Sequence, residues 1–133
     1  MDFQINGGYE AYLYVVLLQL SILYLQRLDL NVRMAVGCGE TPSRLFKDYL
    51  LTTRIIGTTL NWTSWLLAVY VGNEFGLASA ALFLVLGFGS SIVAILLIPP
   101  LPRIDVIAHV LSLPTTIVLY QATLVSVGIR NAI

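Results

Sequence analysis

Residues 75–98 run without a single charged side chain. At about 1.5 Å of rise per residue, roughly 20 mostly apolar helical residues cross a hydrocarbon core of about 30 Å, and this stretch meets that requirement. Three more do the same: 8–26, 46–71 and 104–129. Helices are expected because lipid offers no partner to an unpaired amide and the segments are too long for barrel strands. Of the 133 residues 58% are hydrophobic and 11% charged, against about 45–50% and about 25% in an ordinary soluble domain. A core of this size cannot hide so much apolar surface from water, so the expected solvent is lipid. The same numbers exclude a disordered chain, a disulfide-rich secreted module and a soluble two-domain enzyme. Seven basic and seven acidic side chains cancel, leaving no net field to recruit nucleic acid.

The expected fold is all-α: an integral membrane four-helix bundle, a single transmembrane domain over 1–133, with up-down topology. The leader before the first span has no Lys or Arg and no cleavage pattern follows the span, so this segment is expected to remain as a membrane helix. Arg27, Arg33 and Arg44 fall in the first loop, 27–46, with Lys47 just after it, and Arg103 falls in the third, 99–103, while the other side holds Arg130 with Asp2, Glu10 and Glu74. Positive charge stays cytoplasmic. Both loops should therefore face the cytoplasm and both termini the opposite side, in a bacterial inner membrane or a eukaryotic endomembrane. Cys38, the one cysteine, then sits in a reducing compartment. Thr41 with Pro42 reads as an N-cap and first helical residue. Gly72-Asn73-Glu74 reads as a short second turn, and Pro99-Pro100-Leu101-Pro102 as a stiff third link.

Polarity inside the spans is concentrated on two helices. On the second, Arg54, Thr58, Asn61 and Trp65 recur at helical spacing with Ser64 beside them, so they share a face. One reading is a ligand pocket open to the cytoplasm, in which Arg54 supplies charge and Asn61 orients an anion. The other is that Arg54 snorkels to the boundary while Thr58, Asn61 and Ser64 join helices by hydrogen bonds. On the fourth helix Asp105 and His109 are one turn apart, which suits either a proton relay or an acid capping the helix beside an interfacial imidazole. Two such ligands without a third make no metal site. Pro114 removes the amide that would bond to the carbonyl of Val110.

The third helix carries Gly76 and Ala80, then Gly87 and Ser91, each pair four residues apart, a spacing that lets helices approach closely. The sequon Asn61-Trp62-Thr63 lies within a span, beyond reach of glycosylation, and Gly87-Phe88-Gly89 follows no strand, so it is no phosphate loop. Tyr9, Tyr12, Tyr14, Tyr49 and Tyr70 sit near span ends as an interfacial belt does, with Trp65 and Tyr120 deeper.

Four helices in a chain of this length, a Gly-Cys-Gly element in the first loop and a polar second helix together resemble the MAPEG family, the membrane-associated proteins in eicosanoid and glutathione metabolism. That family's second helix reads Arg-x-x-Arg-Ala-x-x-Asn-x-x-Glu. Here the stretch from Arg54 to Ser64 keeps the first arginine and the asparagine, as Arg54 and Asn61, with Gly57 and Ser64 at the other two places. The resemblance implies a homotrimeric scaffold. It also implies glutathione as cosubstrate for members that retain the full charge set, and the helix here has lost two of those groups. The expected function is thus a small non-catalytic membrane protein on a MAPEG-like scaffold, without cofactor, acting with copies of itself or as an accessory subunit of a larger membrane assembly. The alternatives are a glutathione-dependent or lipid-directed transferase using Arg54 and Asn61, and a small proton- or solute-conducting subunit using Arg54, Asp105 and His109.

Overall fold

A computed structural model describes residues 10–127. They form four α-helices and no strand: α1 Glu10–Gly37, α2 Arg44–Phe75, α3 Leu77–Leu97 and α4 Val106–Ser126. The expected helix start at residue 8 and end at 129, with Asp2, Tyr9 and Arg130, fall outside the described residues.

The first helix passes its expected end at Gln26 and continues to Gly37. Leu28, Val32 and Ala35 extend its buried stripe at helical spacing. Asp29 and Arg33, one turn apart, form an ion pair at 3.1 Å. Charge that reads as loop therefore belongs to helix. The helix stops in a Schellman motif. The amide of Glu40 donates to the carbonyl of Ala35 at 3.1 Å and that of Gly39 to Val36 at 3.0 Å. Gly39 takes φ +98°, a left-handed conformation that favours glycine. The first loop is thus 38–43 rather than 27–46, and the cap of α2 is Ser43 rather than Thr41: its hydroxyl accepts from the amide of Phe46 at 3.3 Å.

At the second turn α2 runs through Gly72-Asn73-Glu74 to Phe75, and the single residue Gly76, at φ +101°, reverses the chain. Its amide donates to Gly72 and its carbonyl accepts from Ala80, both at 3.2 Å. After α3 the proline link crosses the end of α1, where the amide of Leu101 donates to Oδ1 of Asn31 at 2.8 Å. Asp105 then caps α4, its carboxylate accepting from the amide of Ala108 at 3.0 Å.

Successive helices run in opposite directions, but the cross-section is not a square. Helices α1 and α2 each touch all the others, whereas α3 and α4 do not touch. They flank the α1–α2 pair, which explains why the link between them must pass over α1. Two apolar clusters close the ends. One gathers Tyr12, Val15, Leu67, Val71, Phe83 and Leu124; the other gathers Val32, Phe46 and Leu50, with Tyr49 and Ile104 against it. Polar side chains lie between, with Gln19, Ser64, His109 and Thr116 all buried.

The outer surface is apolar: Leu77 is 84% exposed and Leu96 78%. Three helices, α1, α3 and α4, are long and apolar enough to cross a membrane. The fourth expected span, α2, has the length at 32 residues, but Arg54, Asn61 and a run of hydroxyls lower its apolarity. Helices α3 and α4, at 21 residues each, are about 32 Å long and match a hydrocarbon core. Helix α1, with 28 residues, and α2, with 32, are about 42 and 48 Å long and overshoot it.

Candidate functional site

The sole charged side chain in the middle stretch of α2 is held by α1. Arg54 donates from Nε to Oδ1 of Asp29 at 2.7 Å, while Arg33 brings its own Nε to 3.1 Å of Oδ2. The carboxylate is mostly buried, at 14% exposure, and the Arg54 side chain is 40% exposed. A cleft of about 260 Å³ opens here between α1 and α2, with Gln26, Asp29, Arg33, Arg54 and Thr58 on its wall. Arg54 and Thr58 are thus brought together, but with an acid already against the guanidinium.

The rest of the α2 face is divided. Ser64 is buried, accepting from Nε2 of Gln19 at 2.8 Å and donating to the backbone carbonyl of Asn61 at 2.6 Å. Gly57 lies against α1, where a Cβ would stand 3.4 Å from Cδ2 of Leu25; a long side chain there would push α1 away. Asn61 belongs to a separate, larger cleft of about 630 Å³ that opens sideways between α1, α2 and α3. Trp62, Trp65, Phe88 and Ile92 line it with Gln19 and Ser91, and Trp65 packs against Phe88 at a 35° tilt with centroids 4.1 Å apart. The Asn61 carboxamide has no hydrogen-bond partner among the described residues. Arg54 and Asn61, neighbours on a helical wheel, face two different cavities.

On α4 the Asp105 carboxylate is spent on the helix cap and on Arg103, 3.8 Å away. It does not bond the imidazole of His109. That ring is fully buried and edge-on to Phe46, with centroids 5.5 Å apart. Neither nitrogen has a hydrogen-bond partner of good geometry among the described residues, and the Leu28 backbone of α1 lies nearby. One turn on, the buried hydroxyl of Ser112 also lacks a partner, and beyond it Thr116 and Ser21 hydrogen-bond across α1 and α4 at 2.6 Å.

The small residues of α3 serve packing and turning. Gly76 makes the turn; Ala80 meets Gly72, where a Cβ would lie at 3.1 Å; and Gly87 faces Gln19, where a Cβ would lie 3.5 Å from Cγ. Ser91 lines the sideways cleft. No group of three His, Cys, Asp or Glu that could hold a metal occurs among the described residues.

The sequence alone does not single out Asp29 or Gln19. A loop over 27–46 hides Asp29, whose i, i+4 relation to Arg33 is the available signal, and Gln19 carries none beyond being polar in apolar surroundings. Tyr49, expected in an interfacial belt, instead bonds across to the backbone of α4. No protein-family model, no curated protein and no solved structure matches the chain.

Proposed function

We propose that this chain is an integral membrane protein without chemistry of its own, working as an oligomer or as an accessory subunit of a larger membrane assembly. Supporting the membrane placement are the apolar exterior, with polar groups turned inward, and three helices of spanning length and apolarity. Helix α2 crosses as the fourth, shielded along much of its polar face by α1. The cations Arg33, Arg44, Lys47 and Arg103 gather at the end holding 38–43 and 98–105, which makes that end cytoplasmic and the termini non-cytoplasmic. A MAPEG-like scaffold and the trimer it implies belong to the same proposal.

One observation carries the non-catalytic reading. The groups an anionic cosubstrate would need do not share one site: Arg54 faces the clefts beside Asp29, Ser64 is buried against Gln19, and Asn61 faces another cavity. What is left over is the unpaired Asn61 carboxamide in a cleft open to the side, at the depth of a hydrocarbon core. An unpaired amide there is costly, and a helix from another subunit, supplying a hydrogen bond across the cleft, relieves it.

The test is Asn61→Leu. The variant is expected to insert normally and to lose assembly on native gels in mild detergent. Intact assembly, together with saturable glutathione binding that disappears in Arg54→Ala, would replace this reading with a transferase.

A further inference from the structure

At the end of the molecule that holds loop 38–43, the last turns of α1 and the first turns of α2 enclose a second cleft, of about 300 Å³. Arg33 faces it from α1, and Lys47 and Arg54 face it from α2. Its remaining walls, Val32, Val36, Pro42 and Leu50, are apolar, and no carboxylate lines it. Asp29 stands in the adjoining cleft, which shares both arginines. It receives Nε of Arg54 on Oδ1 and approaches Nε of Arg33 with Oδ2. One carboxylate therefore holds two guanidinium groups side by side, each by its inner nitrogen. Their outer nitrogens and the Lys47 ammonium meet no protein acceptor among the described residues. Among the residues that line the two clefts, three cations face one acid, and like charges gathered on one wall favour an anion that joins them.

The geometry points to a binding site for a phosphate ester in this cleft. Planar guanidinium edges match phosphate oxygens two at a time, and a lysine adds a compact point charge. The apolar walls fit the hydrocarbon side of the ester, which a free inorganic ion would leave unused. The position favours a lipid headgroup, and this step rests on the membrane placement proposed above. Helix α3, Leu77–Leu97, has the length of a hydrocarbon core, and just past its end the amide of Leu101 bonds to Asn31 of α1, so the boundary falls near Asn31, and Arg33 and Lys47 lie at headgroup level. Basic residues at that level attract anionic lipid. The cleft is separate from the Asn61 cavity and needs no second subunit.

The experiment uses the full chain in phosphatidylcholine nanodiscs doped with phosphatidic acid, released into mild detergent and read by native mass spectrometry. Phosphatidic acid is expected to stay bound in preference to phosphatidylcholine. Arg33→Ala and Lys47→Ala are each expected to lower that retention about fivefold, with the two effects multiplying. Lys47 is exposed and its side chain makes no ion pair or hydrogen bond, so this variant keeps the fold. A lipid-free arm titrates inorganic phosphate in detergent. Equally strong phosphate binding that is lost in the same variants upholds the phosphate site and moves its source to solution. Equal retention by wild type and the Arg33→Ala/Lys47→Ala pair, with no phosphate binding, overturns the site. Carbonate extraction of the expressing membranes, before solubilisation, separates the two readings: a chain that carbonate strips from them fails as a membrane protein, whereas one that stays embedded but shows no preference loses only this site.

Discussion

The hydroxyl of Tyr49 shares its one proton between the carbonyls of Val110, at 3.3 Å, and His109, at 3.0 Å. Val110 is the residue whose carbonyl Pro114, four positions on, leaves without an amide. A side chain on α2 thus satisfies a backbone group stranded on α4, and does so where the helices meet at the Phe46 cluster. The proline within α4 and the tyrosine on α2 form one device. Tyr49→Phe is expected to cost about 1 kcal/mol of stability, as an orphaned carbonyl does. In a Pro114→Ala background, where an amide returns to Val110, the same change should cost clearly less. Unfolding midpoints of the four proteins in detergent check this, and equal costs in both backgrounds would break the link.

Gly72 and Ala80 form the closest small-residue contact between α2 and α3, because a Cβ on Gly72 would stand 3.1 Å from that of Ala80. Neither atom can rotate away. Gly72→Ala is expected to destabilise by about 1 kcal/mol through overpacking. In Ala80→Gly the clash is absent, and there the same substitution should stabilise by up to about 1 kcal/mol through helix propensity. The reversal of sign is the observable. A substitution that acts alike in both backgrounds shows that the helices do not meet at these residues.

Asp29 joins α1 to α2 through Arg54 at 2.7 Å. Because the arginine is 40% exposed, water screens the pair, and a double-mutant cycle of Asp29→Asn with Arg54→Gln should give less than about 1 kcal/mol of coupling. The coupling should also shrink as salt rises from low ionic strength. A coupling above about 3 kcal/mol, insensitive to salt, would place the pair in dry surroundings, contrary to the exposure of Arg54.

What the chain declares in its residues depends on which interactions are local. Residues 75–98 announce α3 because length and lack of charge suffice, and Pro99, Pro100 and Pro102 mark the link after it for equally local reasons. The end of α1 is hidden because Arg27, Asp29 and Arg33 look like a loop unless the helix is known to continue to Gly37. Ser43 replaces Thr41 as cap on the strength of one hydroxyl geometry, which spacing does not specify. The division of the α2 face is nonlocal altogether. Arg54, Thr58, Asn61 and Ser64 share a helical stripe, but Asp29 and Gln19 on α1 decide which of them are covered. That depends on where α1 crosses α2, and Gly57 sets the approach by leaving Leu25 room at 3.4 Å.

His109 tests whether the core holds anything besides protein. Its ring is fully buried with both nitrogens unbonded, and the Ser112 hydroxyl one turn away is unbonded too. A buried polar group without a partner costs about 1–3 kcal/mol, so an apolar ring of similar shape should relieve that cost. His109→Phe keeps the edge contact with Phe46 and is expected to raise the unfolding midpoint, as is Ser112→Ala. The proton permeability of proteoliposomes, read by a pH-sensitive dye, should stay unchanged in both. The opposite pattern has a specific meaning. Lower stability in both variants would show that the imidazole and the hydroxyl share a partner, such as a water bridging them, which needs at least two polar neighbours. If the dye response changed as well, that bridge would be part of a proton path, and conduction would displace assembly as the function of the chain.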